Sequence, residues 1–170
     1  MNLMKKIAVS FFMAITLLGT IMLRSASTVH LPSQSGYANQ ENVIWYISIH
    51  IGMMMAFFLL NAFTKRFFYG LTALSSLLVV MLDMYGYPTI HNLSTAILFG
   101  LSSYCLVAYS NVILRKAYFI TCLLLGLAFG TVVALRGSLP FDIYEIETVI
   151  EWSFASMLLI DLFIFKKNTI

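Results

Sequence analysis

Ionisable side chains lie within several long apolar segments of this 170-residue chain, where charge is costly and therefore marks a candidate site. Four such segments contribute five ionisable residues, which we expect at similar depth. They are His50, Asp83, His91, Glu147 and Glu151. A histidine beside a carboxylate can exchange protons with a substrate or hold a metal ion. If the four segments face one another, these side chains form one polar pocket.

Arg24 and Arg136 are expected at the rim of this pocket, where arginine and histidine suit a phosphate and the acids suit an amine or sugar hydroxyls. Three interpretations remain open: ion pairs that hold the bundle, a lipid-headgroup site, and catalysis with or without a metal ion. No HxxxH or HExxH spacing occurs, so the metal interpretation has the weakest support. Its candidate ligands are His50, His91, Asp83 and Glu151.

Six apolar segments must position these residues. The chain is 61% hydrophobic and 10% charged, whereas soluble domains have about 45–50% apolar and about 25% charged residues. Each segment is roughly 17–23 residues long, which suits a membrane-spanning helix and not the short alternating strands of a barrel. We therefore predict an all-α fold in one domain over residues 1–170, a polytopic bundle of six transmembrane helices. The predicted helices cover residues 7–23, 43–63, 67–84, 93–114, 117–135 and 143–165.

Basic pairs at the ends of these segments predict the orientation. Eight of the ten Lys and Arg residues fall on one side if the N-terminus is inside. The positive-inside rule therefore predicts both termini in the cytoplasm and Arg24 and Arg136 outside. The eight are Lys5, Lys6, Lys65, Arg66, Arg115, Lys116, Lys166 and Lys167. The membrane would be a bacterial inner membrane or a eukaryotic endomembrane.

Several local features carry further expectations. The run after Lys6 also resembles a signal peptide, but its length favours an uncleaved helix. Pro88 is expected in an outer loop, and the Arg115–Lys116 pair is expected to form a tight inner turn. Asp161 is expected near the inner end, paired with the lysines at 166 and 167. Gly126 and Gly130 form a GxxxG motif expected to pack tightly inside the bundle.

Two short stretches resemble motifs of a known family. One is Ile90-His91-Asn92 followed by Ala96, Phe99 and Tyr104, and the other is Glu151-Trp152. With its six predicted spans and the length of its first outer loop, the chain is similar to the DRAM-like autophagy modulators and the Golgi and ER proteins that remodel GPI-anchor lipids. The resemblance in layout covers about residues 25 to 165. The resemblance implies a six-helix bundle with a role in lipid remodelling or lipid distribution. The signature positions it implies are His91, Asn92, Glu151 and Trp152.

The leading functional hypothesis is therefore an integral membrane protein that binds a lipid or lipid headgroup in a pocket facing the outer leaflet, linked to lipid remodelling or transport. The first alternative is a membrane-embedded lipid hydrolase that uses histidine and carboxylate groups, with or without a metal ion. The second is an accessory subunit without chemistry. Membrane lipids are the expected partners, no nucleic acid is expected, and no cofactor is required. An ion channel is disfavoured because no polar stripe is expected in the inner half.

Overall fold

The computed structural model describes residues 3–26, 42–84, 88–134, 153–154 and 156–161, without the side chains at 83–84, 88–89, 91–92 and 132–133. Within these ranges all regular secondary structure is helical, which confirms the predicted all-α class. Residues 156–160 form a further short helical stretch, so the predicted helix over 143–165 is described only in part. The five long helices are α1 (Leu3–Ala26), α2 (Val43–Thr64), α3 (Phe67–Met84), α4 (Pro88–Tyr109) and α5 (Val112–Ala134).

Three of these helices are long and apolar enough to cross a membrane. They are α1, α2 and the Val112–Thr131 part of α5. The apolar parts of α3 and α4, Phe67–Leu82 and Leu93–Tyr109, are shorter. Large apolar side chains on the outside of the bundle, such as Phe11, Phe58 and Leu124, provide the surface that a lipid environment needs.

Helix α4 begins at Pro88, five residues before the predicted start at residue 93. Pro88 therefore lies in the helix and not in a loop, as the sequence analysis had expected. The first residue of a helix has no intrahelical partner for its N–H group, so proline is well tolerated there and its fixed φ suits the helix. The hydropathy pattern does not reveal this start because Pro88 to Asn92 include polar residues.

The turn between α4 and α5 consists of Ser110 and Asn111, and the expectation of a turn at Arg115–Lys116 was wrong. Asn111 caps α5, since its side-chain oxygen accepts the Ile113 N–H at 3.0 Å. Its carbonyl oxygen accepts the Arg115 N–H at 3.0 Å, which places the basic pair in the first turns of α5.

Consecutive helices run antiparallel, so the helix ends gather at two opposite ends of the bundle. One of these, which we call the basic end, contains Lys5, the Lys65–Arg66 turn and the Ser110–Asn111 turn. Lys5 Nζ lies 5.2 Å from the centre of the Phe63 ring and joins the start of α1 to the end of α2. At the opposite end, the far end, the Asn42 amide donates a 3.2 Å hydrogen bond to the Ala26 carbonyl.

The closest packing joins α1 to α2. A Cβ atom on Gly52 would lie 2.6 Å from Thr16 Oγ1 and 2.8 Å from the Phe12 carbonyl oxygen. The Thr16 hydroxyl group is shared between the Phe12 carbonyl oxygen of its own helix at 3.2 Å and the Ile49 carbonyl oxygen of α2 at 3.3 Å, so the two helices are in direct contact. Small residues allow such close approach between helices in lipid. Helix α1 is therefore an integral part of the described core.

Helix α5 packs more loosely against its neighbour α4 than the other consecutive helices do. No described atom lies within 4 Å of a Cβ atom built on Gly126 or Gly130. The expectation that this GxxxG motif packs tightly inside the bundle was therefore wrong for the described part of the chain.

Gly52→Ala is expected to lower the melting temperature of the purified protein in detergent. Its methyl group would overlap the backbone of α1, and overpacking of this kind costs about 1–3 kcal/mol. Gly126→Ala is the matched control, because its methyl group would meet no described atom within 4 Å and alanine favours the helix by up to about 1 kcal/mol. Circular dichroism melts measure both variants. Equal melting temperatures for the two variants would contradict the close α1–α2 contact.

Candidate functional site

The structure describes the predicted site residues to different extents. His50 is buried in α2, with 7% of its surface exposed. Arg24 lies half-buried in the last turn of α1 at the far end. Three further positions are described by their backbone alone, namely Asp83 in α3 and His91 and Asn92 in α4. Four others lie outside the described residues: Arg136, Glu147, Glu151 and Trp152. Convergence of the whole set therefore remains a prediction.

The predicted site residues that the structure describes all lie in the far half of the bundle, but at different depths. His50 comes seven residues after the start of α2, which is about 10 Å along the helix axis. His91 comes three residues after the start of α4, about 4–5 Å from the end. Asp83 is one residue from the end of α3. His50 is thus the deepest of the three.

His50 is held against α3 by Ser76. His50 Nδ1 lies 3.4 Å from Ser76 Oγ, and the same hydroxyl group donates a 3.2 Å hydrogen bond to the His50 carbonyl oxygen. The edge of the Tyr46 ring packs against the imidazole with 4.9 Å between ring centres. Both Ser76 and Tyr46 are fully buried. The ring is therefore confined by one residue of its own helix and one of the next.

Local sequence spacing explains this arrangement. Tyr46 and His50 are four residues apart and share a face of α2. Ser76 and Asp83 are seven residues apart, two turns of helix, so they share a face of α3. Sequence analysis missed Ser76 because serine in an apolar helix usually serves close packing. Its spacing from Asp83 is the signal that indicates it.

An apolar cluster surrounds this site at the far end. Residues from three helices form this buried group next to His50 and Ser76. They are Leu23 from α1, Tyr46 and Ile49 from α2, and Val80 from α3. Because Leu23 precedes Arg24 in the chain, this cluster also fixes the backbone that carries the arginine. A cation in the last turn of a helix interacts favourably with the helix dipole.

Among the residues whose side chains are described, no group of three or more His, Cys, Asp or Glu residues lies close enough to hold a metal ion. The candidate ligands Asp83, His91 and Glu151 are outside that set. A metal site involving them remains a prediction.

A second polar cluster, at the basic end, was not predicted. The Arg66 guanidinium group donates a 3.2 Å hydrogen bond to the Tyr109 carbonyl oxygen and lies 4.5 Å from the centre of the Tyr109 ring. The Tyr69 ring is 5.0 Å from the Tyr109 ring and is fully buried. Arg66 is thus more than a topology signal, because it fastens the start of α3 to the end of α4.

Asp161 joins this end of the bundle from the last described segment. It is 2% exposed, and its Oδ1 atom accepts the Asn111 N–H at 3.4 Å. In the same segment the Met157 carbonyl oxygen accepts a 3.1 Å hydrogen bond from the Tyr118 hydroxyl group. The expected partners of Asp161, the lysines at 166 and 167, lie outside the described residues. What the structure shows is a carboxylate buried against the α4–α5 turn.

Buried polar side chains connect the two ends along α3. Tyr69, Thr72 and Ser76 lie on one face, at spacings of three and four residues. The Thr72 hydroxyl donates to the Phe68 carbonyl oxygen at 2.8 Å and lies 3.6 Å from Cys105 Sγ. The expectation that no polar stripe enters the inner half was therefore wrong. The hydroxyl groups of Thr72 and Ser76 are satisfied within the protein, so they are helix contacts.

No protein-family model, curated protein or solved structure matches this chain. The similarity to the DRAM-like family remains a prediction from the sequence.

Tyr118→Phe is expected to lower the melting temperature, because it removes the hydrogen bond that joins Met157 to α5 without opening a cavity. A buried hydrogen bond contributes about 1 kcal/mol net. Tyr104→Phe is the matched control, since 46% of that residue is exposed. Thermal melts in detergent compare the two. A larger loss of stability from Tyr104→Phe would show that the Tyr118 contact is wrongly placed.

Proposed function

We propose that this chain is an integral membrane protein of six transmembrane helices that binds a lipid headgroup in the outer half of its bundle. Both termini lie in the cytoplasm, and His50 is central to the site. The observation that carries the proposal is the burial of His50 about 10 Å below the far end of an otherwise apolar bundle. Ionisable groups at membrane depth are costly and are a sign of function.

Six spans are supported by the packing of the first and last segments. Helix α1 contributes Val9, Met13 and Leu23 to the buried core, which favours a retained helix over a cleaved signal peptide. The helical stretch 156–160 packs against α5 through the Tyr118–Met157 hydrogen bond, as a sixth antiparallel helix would. The apolar parts of α3 and α4 are shorter, but the helices that contain them have 18 and 22 residues.

The distribution of charge supports the orientation. Lys5, Lys65 and Arg66 lie at the basic end, and Arg115 and Lys116 lie in the first turns of α5 at that end. The far end has Arg24 in the last turn of α1. Cytoplasmic loops carry an excess of Lys and Arg, so the basic end faces the cytoplasm and the far end faces outward. His50 then lies in the outer half of the membrane.

Headgroup chemistry suits the far end. Arg24 provides a cation for a phosphate group, and His50 provides a polar group below it. Asp83 lies on the same face of α3 as Ser76, which contacts His50. With the predicted carboxylates Glu147 and Glu151, these positions supply acceptors for an amine or hydroxyl group. A link to lipid remodelling or transport follows from the family resemblance, and membrane lipids are the partners.

The Ser76–His50 contact does not favour a hydrolase. A serine nucleophile must reach its substrate and pass its proton to the base. Ser76 is fully buried, and its hydroxyl group donates to the His50 carbonyl oxygen, which is not a base. Ser76 is therefore not a nucleophile, and the hydrolase that uses histidine and carboxylate groups stays the alternative.

Cysteine labelling tests the orientation. Ser25→Cys and Lys116→Cys place exposed thiols near opposite ends of the bundle, in a background with the buried Cys105 and Cys122 replaced by alanine. Ser25→Cys is expected to react with a membrane-impermeant maleimide on intact cells. Lys116→Cys is expected to react only after permeabilisation. The reverse pattern would show that the orientation is wrong.

Native mass spectrometry of the purified protein tests lipid binding. The wild-type chain is expected to retain phospholipid, and His50→Gln is expected to retain about tenfold less, which corresponds to roughly 1.4 kcal/mol of lost binding free energy. Ser48→Ala is the matched control, because among the described residues its hydroxyl group bonds to the Ile44 carbonyl of its own helix. Equal lipid retention by His50→Gln and the wild type would rule out a His50-centred site.

A further inference from the structure

Helix α5 carries two cations near its start, where a helix gains nothing from positive charge. Arg115 and Lys116 are its fourth and fifth residues, and both side chains are exposed. The free N–H groups of a first turn form the positive end of the helix dipole and favour acids, yet this turn has none. Cations in the Ser110–Asn111 turn would satisfy the positive-inside rule equally well. Helix stability and orientation therefore leave the position of this pair unexplained.

An exposed apolar stripe continues from Lys116 along α5. Its residues follow Lys116 at four, seven and eleven positions, so they share its face of the helix. They are Ile120, Leu123 and Leu127, and more than half of each side chain is exposed. At 1.5 Å per residue the stripe ends about 16 Å from Lys116, and half of a hydrocarbon core is about 15 Å. The stripe therefore has the length of one leaflet.

Charge decides which kind of lipid suits this surface. Lysine and arginine lay their apolar stems along a membrane surface and keep their charge at the level of the headgroups. Lys116 starts only about 6 Å inside α5, so its ammonium group reaches that level. A zwitterionic headgroup brings a cation of its own, whereas an anionic headgroup has a net negative charge. Two adjacent cations therefore favour an anionic lipid.

We propose that Arg115, Lys116 and the apolar stripe form a surface that binds an anionic phospholipid, with its headgroup at the two cations and an acyl chain along the stripe. The proposed orientation places this lipid in the cytoplasmic leaflet, where anionic lipids concentrate. The proposal rests on the insertion of the chain in a membrane and goes beyond the site near His50, which lies toward the opposite end. Because the surface is open, its lipid exchanges with the bilayer and is measured in membranes.

Fluorescence quenching by brominated lipids tests the proposal. The label is placed on Leu124→Cys, an exposed position beside the stripe, in the full chain with Cys105 and Cys122 replaced by alanine. Phosphatidylcholine vesicles contain either brominated phosphatidylglycerol or brominated phosphatidylcholine in both leaflets, so orientation does not affect the result. We expect about fivefold preference for phosphatidylglycerol, which corresponds to the roughly 1 kcal/mol that a cation near the surface contributes.

Two charge-removing variants locate the effect. Lys116→Gln is expected to reduce the preference to less than about twofold. Lys65→Gln is the matched control and is expected to keep it, because Lys65 is an exposed cation of the same end in the turn between α2 and α3. An equal loss in both variants would overturn the proposal, since the preference would then come from the net charge of the basic end.

The remaining outcomes separate this surface from the proposed function. Equal quenching of the wild-type chain by the two lipids would overturn the anionic surface and leave the site near His50 intact. Weak quenching by both would show that α5 does not face lipid, which would also contradict the membrane-spanning bundle. Loss of lipid retention in the mass spectrometry of the purified protein would overturn the site near His50 and leave the α5 surface intact.

Discussion

Polar groups inside an apolar bundle must find their partners within the protein, because lipid offers none. Together with close packing at small residues, polar contacts between helices therefore set their register. Polar contacts of this kind join each successive pair of helices from α1 to α4. A further contact joins the α4–α5 turn to the last described segment. These contacts are Thr16 to Ile49, His50 to Ser76, Arg66 to Tyr109 and Asn111 to Asp161. The placement of His50 follows from this constraint.

The sequence predicted those helices whose ends coincide with a change in hydropathy. Helices α2 and α3 match the predicted ranges 43–63 and 67–84 closely, because Lys65 and Arg66 interrupt the apolar run where the chain turns. The boundary between α4 and α5 was misplaced for the opposite reason. Asn111 is a neutral residue that ends one helix and caps the next, while the basic pair after it lies within the helix. Hydropathy does not detect a cap.

The sequence predicted residues of the candidate site, whereas it did not predict the contacts between them. His50 was identified because an ionisable group in an apolar run is unusual. Its partner Ser76 was not, because the two residues are 26 positions apart and serine has an ordinary packing role. The basic-end cluster was missed in the same way. Arg66 was taken only for a topology signal, and the hydrogen bonds that join Arg66 and Asp161 to the backbone of neighbouring helices were not predicted.

Ser76 thus links the fold to the proposed function, since the contact that joins α2 to α3 also orients the imidazole. Crosslinking tests the central claim, a headgroup bound beside His50, most directly. A zwitterionic phospholipid with a photoreactive headgroup is incorporated into membranes containing the full chain, and the modified residues are mapped by mass spectrometry. The proposal predicts adducts concentrated in α2 near His50 and in the far half of α3. Adducts at the basic end, or spread evenly over exposed α5 residues such as Leu123 and Leu127, would contradict it.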